Sequence, residues 1–221
     1  MSSLVVAIDG PSGSGKSSTS RGVAARLGLR YLDTGAMFRA VTRWMLSHGV
    51  DLTDPDAIAA RSGEPVIVSG TDPPDPTIPV DGRDASFAIR SDEVNAAVSP
   101  VSAVPAVRAR LLELQRDIIG KGGIVVEGRD IGSVVAPDAA LKLYLSADPE
   151  ARAVRRAAEA GGDVAATQES LRARDRIDSG RVTAPLTMAD GAVHIDTTPY
   201  TPDEVISQVV ALVEAVSGDG E

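Results

Sequence analysis

Gly10-Pro11-Ser12-Gly13-Ser14-Gly15-Lys16-Ser17 satisfies G-x-x-x-x-G-K-[ST], the pattern in which backbone N–H groups of a glycine-rich turn converge on phosphate oxygens. Its flanks carry the required context. Leu4-Val5-Val6-Ala7-Ile8 is a short β-branched apolar run, as in a buried parallel strand. Beyond it, Val23, Ala24 and Leu27 mark the apolar face of a helix that Gly28 ends. Strand, glycine loop and helix in this order aim a helix N-terminus, with roughly half a positive charge, at a bound anion. The spacing predicts Lys16 on the β- and γ-phosphates of a nucleotide, the Ser17 hydroxyl on Mg²⁺, and Ser18 closing the cradle that Gly10 begins. Only Lys16, Lys121 and Lys142 are lysines among the 22 cationic residues, so a chance match is improbable.

The 221 residues suffice for one α/β core with a small appendage. A net charge of −9 argues against a nucleic-acid partner, which needs a basic surface. The cations are nearly all arginine, which suits bidentate recognition of phosphate and carboxylate. The absence of cysteine excludes disulfides, thiolate catalysis and Cys-based metal sites. His48 and His194 are too few for a histidine-rich metal site. The chain enters its first strand without a signal-like segment and has no membrane-length apolar run, so a cytoplasmic protein with no membrane partner is expected. A monomer is expected from the lack of an exposed apolar stripe.

Further along, Leu29 to Leu32 reads as a second strand, with Asp33 and Thr34 capping a helix whose Ala40, Val41, Trp44 and Met45 face the core. Arg39, one turn inside that helix, is placed near the mouth of the phosphate loop. A polar helix is expected from Asp54 to about Arg61. Glu64 to Arg83 holds five of the 14 prolines, and Asp81-Gly82 is a strong two-residue hairpin turn. With strands at 65–69 and 78–80, residues 63–88 read as a small antiparallel insert that must dock on the main domain. Residues 90–121 read as one or two helices interrupted by Pro100 and Pro105, with Ser99 and Arg108 in the interrupted part. Gly123 to Glu127 is the next buried strand. Gly128-Arg129-Asp130-Ile131-Gly132 leaves its carboxyl end, where open α/β sheets bind ligands.

Ala140 to Leu145 is a fourth strand, and Asp148-Pro149 opens a helix bearing Arg152, Arg155 and Arg156. Ala160-Gly161-Gly162-Asp163 breaks it. A second helix is expected from about Thr167, capped by that residue. Arg174, Asp178 and Arg181, spaced i, i+4 and i+7, share one of its faces. Paired antiparallel, the two helices bring together an arginine cluster that an anionic ligand would neutralise; Arg155 and Arg156 are assigned to bound ATP. Ala192 to Ile195 is the last strand. Thr201, Pro202 and Glu204 open the final helix, whose core face is Val205, Val209, Leu212 and Val213. Five strands alternating with helices make an α/β fold, a parallel sheet covered on both faces.

Four stretches together resemble the bacterial cytidylate kinase family: Gly10 to Lys16; Leu32-Asp33-Thr34-Gly35-Ala36-Met37-Phe38-Arg39; Glu127 to Val135; and Arg174-Asp175 with Asp178-Ser179-Gly180-Arg181 and Ala184-Pro185-Leu186. The resemblance covers nearly the whole chain. It implies a P-loop NTPase fold with a five-stranded parallel sheet, a helical lid and the small antiparallel β insert. It implies transfer of a phosphoryl group from ATP, with Mg²⁺, to CMP or dCMP. It implies one kinase domain: a core (1–35, 120–150, 183–221), a nucleoside-monophosphate region (36–119) and a lid (151–182). Carried over, Ser99, Arg108 and Asp130 read cytosine; Arg39, Arg129 and Arg181 hold the acceptor phosphate with Thr34 nearby; Arg174 and Asp178 contact the sugar. Lys16, Arg129, Arg174 and Arg181 are then the catalytic cations. Thr34, Phe38, Ser133 and Ala136 depart from the commoner serine, tyrosine, threonine and phenylalanine. The Gly128-Arg129-Asp130 stretch and the β insert argue against a kinase of this fold for UMP, AMP, shikimate or dephospho-coenzyme A. A GTP-driven switch would carry Asn-Lys-x-Asp, which is absent here.

Overall fold

The computed structural model describes residues 3–160 and 162–218. Along the chain, β1 (Val5–Asp9) leads through the glycine loop into α1 (Lys16–Leu27), then β2 (Arg30–Asp33), α2 (Thr34–Ser47) and α3 (Pro55–Arg61). The insert contributes the two-residue strands β3 (Pro79–Val80) and β4 (Arg83–Asp84). There follow α4 (Asp92–Ala103), α5 (Pro105–Ile119), β5 (Ile124–Gly128), β6 (Leu141–Ser146), α6 (Pro149–Ala160), α7 (Val164–Gly180), β7 (Val193–Asp196) and α8 (Pro202–Gly218). The long strands form one parallel sheet, ordered β2-β5-β1-β6-β7. The five strands read from the sequence are these five.

Strand side chains alternate between the sheet's faces. Ala7, Leu32, Ile124 and Val126 therefore pack on one side with Met37, Val41 and Met45 of α2 and Leu111 of α5. Val6, Ile8, Val125 and Leu143 pack on the other with Val23 and Ala24 of α1 and Val205, Val209 and Val213 of α8. The register puts Asp9 opposite Gly128 and Asp33 opposite Glu127. Three carboxylates thus meet at one end of the sheet, beside the glycine loop, where β5 lies between β1 and β2.

Local capping sets the entry angles. Asp33 accepts from the Ala36 N–H at 2.9 Å and starts α2 at the tip of β2. Gly28 ends α1 in the left-handed region, its N–H on the Ala24 carbonyl. Thr201 and Glu204 form a reciprocal capping box on α8. Asp81 (φ 50°) and Gly82 (φ 75°) make the expected hairpin turn. Ile67, Ile78, Ala85 and Ile89 of the insert region are buried in the α2 side of the core, so the insert is docked.

Three expectations are corrected. Residues 65–69 form no regular strand; they run antiparallel to β3 with one bridge, Ile67 with Val80, and hydrogen bonds from the Val68 N–H to the Pro79 carbonyl and the Asp81 N–H to the Val66 carbonyl, while Pro79 has no N–H to return to Val68. Pro100 lies inside α4 and does not interrupt it; the helix loses one N–H bond and continues to Ala103. Pro105 does mark a boundary, as the first residue of α5. The second arginine helix begins at Val164, capped by Asp163, whose carboxylate accepts from the Ala165 and Ala166 N–H groups. Thr167 sits one turn in and donates to the Asp163 carbonyl. Of the expected glycine break, Gly161 lies outside the described residues, as do residues 219–221.

Candidate active site

The glycine loop is held by its own backbone and by β6. Gly10 has φ 148°, and a Cβ there would lie 2.1 Å from the Leu145 carbonyl oxygen. Gly15, at φ 85°, is the N-cap of α1 and offers no side chain to its first N–H groups, which leaves them for a ligand. Lys16 Nζ is folded back on the loop, donating to the Pro11 carbonyl at 2.8 Å. Burial, and after it the charge of Arg129, hold its pKa well below the usual lysine range. Ser17 Oγ donates to Glu127 Oε2 at 3.0 Å, and the Tyr31 hydroxyl donates to the other carboxylate oxygen. Burial, then the neighbouring Asp33, push Glu127 upward; Lys16 opposes them.

Across the cleft, the end of β5 delivers Arg129 and Asp130. Arg129 is anchored twice, from Nη1 to the Gly10 carbonyl and from Nε to Asp178 Oδ2, both at 2.8 Å. Asp130 pairs with Arg108 of α5, and both are buried. Arg108 also donates to the Ser102 carbonyl at 3.1 Å and lies over the Phe38 ring at 5.2 Å. Ser99 and Ser102 of α4 line the same wall. Thr34 Oγ1 donates to the Glu127 carbonyl at 2.7 Å. Arg39 reaches Asn95 Oδ1 at 2.7 Å and the Ile89 carbonyl at 3.1 Å. Burial, then the charge of Arg174, lower its pKa to about 9.

The paired helices α6 and α7 close the third side. Arg152 bridges to Asp175 at 2.7 Å and to the Ser12 carbonyl at 3.1 Å, tying α6 to α7 and to the glycine loop. Arg156, Arg174, Asp178 and Arg181 line the cleft. Burial, then Arg129, lower Arg174 to about 10; burial, then Arg108, lower Arg181. Asp178 is buried, which raises its pKa, yet Arg129 and the other arginines prevail and it stays below the usual carboxylate range. Buried guanidinium nitrogens are left without a hydrogen-bond partner: Nε of Arg174, and Nε and Nη2 of Arg181. Such unmade bonds each cost about 1–3 kcal/mol. They leave a cluster of buried cationic donors facing the cleft without partners.

The structure thus brings together one cleft from the expected loop residues Ser12, Gly13, Gly15, Lys16, Ser17 and Ser18 and from Thr34, Arg39, Ser99 and Arg108. Arg129, Asp130, Arg156, Arg174, Asp178 and Arg181 complete it. Gly10, Pro11 and Ser14 lie beneath the loop and shape it through their carbonyl and hydroxyl groups. Arg155 points elsewhere, to Thr197 Oγ1 at 2.9 Å and to the Thr197 carbonyl at 2.8 Å. Sequence reading missed Glu127, Phe38, Asn95 and Ser102. For Glu127 the signal was available: an acid at the end of an otherwise apolar run, level with Asp33 across the sheet.

A sequence model of the family described as Cytidylate kinase matches residues 6–215. The chain belongs to the cytidylate kinase family. The cytidylate kinase of Streptomyces griseus subsp. griseus is 61% identical over 216 residues, spanning 96% of this chain and 94% of its own. That of Mycobacterium leprae is 46% identical over 224 residues, spanning 99% of both. A solved structure of an uncharacterized protein from Eubacterium ventriosum shares the fold, with a TM-score of 0.54 at 9% identity over 96% of this chain and 99% of that one. The four stretches that carried the family resemblance all lie within the matched residues. Among the described residues no helix is long and apolar enough to cross a membrane.

Proposed function

We propose that this member of the cytidylate kinase family transfers the γ-phosphoryl group of ATP to CMP or dCMP, giving ADP and the corresponding diphosphate. The observation that carries the reading is the buried Arg108–Asp130 pair beside Ser99, in the same cleft as the phosphate loop. Cytosine offers an amine donor with ring N3 and O2 acceptors. A carboxylate accepts from the amine while an arginine and a serine donate to the acceptors. Uracil would set a carbonyl against Asp130, leaving both acceptors unsatisfied.

The acceptor phosphate belongs among Arg39, Arg129 and Arg181, with Arg174 and Asp178 on the sugar. An oxygen of that phosphate attacks the γ-phosphorus as the bond to the β–γ bridging oxygen breaks and ADP leaves. The glycine loop and the N-terminus of α1 hold the donor phosphates. Lys16 exchanges the Pro11 carbonyl for them. The chemistry needs positioning and charge stabilisation rather than a covalent intermediate.

The donor set fits a nucleotide-borne Mg²⁺. Ser17 already points its hydroxyl at a carboxylate beside the loop, and Ser17 would hold the ion with the phosphates. When bound, Mg²⁺ neutralises charge on the β- and γ-phosphates. Residues 151–182 serve as a lid over the core (1–35, 120–150, 183–221), opposite the monophosphate region 36–119. This arrangement excludes water from the transfer. Arg156 is placed to meet ATP; Arg155 would have to leave Thr197 to do so.

The test is ADP release from MgATP with CMP, dCMP, UMP, AMP and GMP, run beside Asp130→Ala. Fast turnover confined to CMP and dCMP in the wild type, with that preference collapsing in the variant, is expected. Hydrolysis of ATP indifferent to the acceptor would overturn the reading.

A further inference from the structure

We infer that Asp9 is a positioning residue for base selection: by capping the turn that follows β5, it frees the Asp130 carboxylate to face the cleft. The inference rests on the proposed reading of Asp130 as the group that meets cytosine.

Residues Ile131–Val135 form a single π turn, with the Val135 N–H on the Asp130 carbonyl at 3.1 Å and the Ala136 N–H on the Ile131 carbonyl at 2.8 Å. The first N–H groups of any helical turn lack partners inside it. Asp130 is the N-cap, and aspartate in that position ordinarily turns its own carboxylate back onto those donors. Here it does not; it makes no capping bond and pairs with Arg108 instead. Two of these donors, including the Gly132 N–H that an N-cap side chain ordinarily takes, are held by Asp9, from another strand. Asp9 Oδ1 accepts from the Ile131 N–H at 2.7 Å and Oδ2 from the Gly132 N–H at 2.8 Å.

Asp9 is 2% exposed, and its place is fixed by the sheet, where it lies opposite Gly128. It is also the residue before Gly10, whose carbonyl anchors Arg129. The end of β1 therefore holds both Arg129 and the backbone that follows Asp130, in fixed relation to the phosphate loop. Burial raises the Asp9 pKa to about 6, the two N–H bonds opposing it. So expensive a buried acid makes sense where a neutral side chain could not fill both donors. The charge of Asp130 adds to the rise and that of Lys16 opposes it.

The variants are Asp9→Asn, whose amide offers one acceptor and sets an N–H₂ against the second donor, and Asp9→Ser, which leaves room and a single acceptor. In each, the orphaned N–H groups draw Asp130 back onto its own turn. The experiment is steady-state kinetics with CMP and UMP at pH 7.5. The expected result is a KM for CMP raised about tenfold, a CMP-over-UMP ratio of kcat/KM lowered at least tenfold, and a KM for ATP within about twofold of wild type. A merely structural role would move both KM values together and leave the base ratio alone; that pattern, or an unchanged ratio, overturns the inference. If the wild-type enzyme itself does not prefer CMP, the reading of the base site fails first, and the two failures are separable. Should neither variant fold, amide hydrogen exchange of the wild-type protein decides. Ile131 and Gly132 amides as slow as those of β5 uphold the clamp, and rapid exchange overturns it.

Discussion

The two walls of the cleft are finished to different degrees. On the sheet side, the functional groups sit in or just beyond the buried strands with their bonds made. Lys16 is on Pro11, Ser17 and Tyr31 on Glu127, Asp9 on two N–H groups, and Thr34 on a carbonyl. On the helical side, Arg174 of α7 and Arg181, the extended residue that follows this helix and so lies off the helical face expected for it, enter the same cleft with buried nitrogens unpartnered. The difference teaches where the ligand's contribution lies. The sheet end is organised before anything binds, whereas the arginine helices carry an unfavourable charge cluster that the acceptor's phosphate would resolve.

The comparison can be broken at several points. Removing a donor-side cation should cost most. Lys16→Met is expected to lower kcat about 10³-fold with the fold intact by circular dichroism, since the charge it would place on the transferred group is not replaced. Arg181→Met separates the two walls more sharply. It should lower kcat/KM for CMP about 10²-fold while leaving the thermal midpoint unchanged or higher, because it deletes buried donors that lack partners. A large fall in midpoint would mean that Arg181 is structural. Asp130→Ala should cut the preference for CMP over UMP by a few tens of fold, read from competition assays, with a smaller loss in kcat.

The smallest effect is expected far from the cleft. Asp81 accepts from Trp44 Nε1 at 2.7 Å and from the Val66 N–H at 2.8 Å, pinning the insert's turn to α2. Asp81→Ala, at a left-handed position, should lower the midpoint by about 5 °C and leave kcat within about twofold. The protein's single tryptophan reports the loosening by fluorescence.

The same division runs through what could be read from residues alone. The phosphate loop, the five strands, the Asp81-Gly82 turn and the capping box at Thr201 are local patterns, each enforced within a few residues. They appear where expected. The start of α7 was misplaced because Asp163 and Thr167 are both good caps, and only the backbone decides between them. Pro100 misled because a proline costs a helix about 3 kcal/mol, which the burial of Val94, Val98 and Val101 on a helix packed against α2 and α5 outweighs. Asp9 went unassigned because its partners, the Ile131 and Gly132 N–H groups, lie more than a hundred residues away, and sheet register rather than spacing brings them together. Arg155 shows the converse. A plausible arginine on the expected helix is already engaged by Thr197.

The most direct test of the contrast between the two walls is thermal denaturation of the nucleotide-free protein with CMP and, separately, with cytidine. If the arginine cluster is completed by the acceptor phosphate, CMP at a hundredfold excess over its Kd stabilises the protein by about 2.7 kcal/mol, and cytidine at the same concentration stabilises it far less. Equal stabilisation by cytidine would contradict the account, because the unpartnered arginines would then have gained nothing from the phosphate.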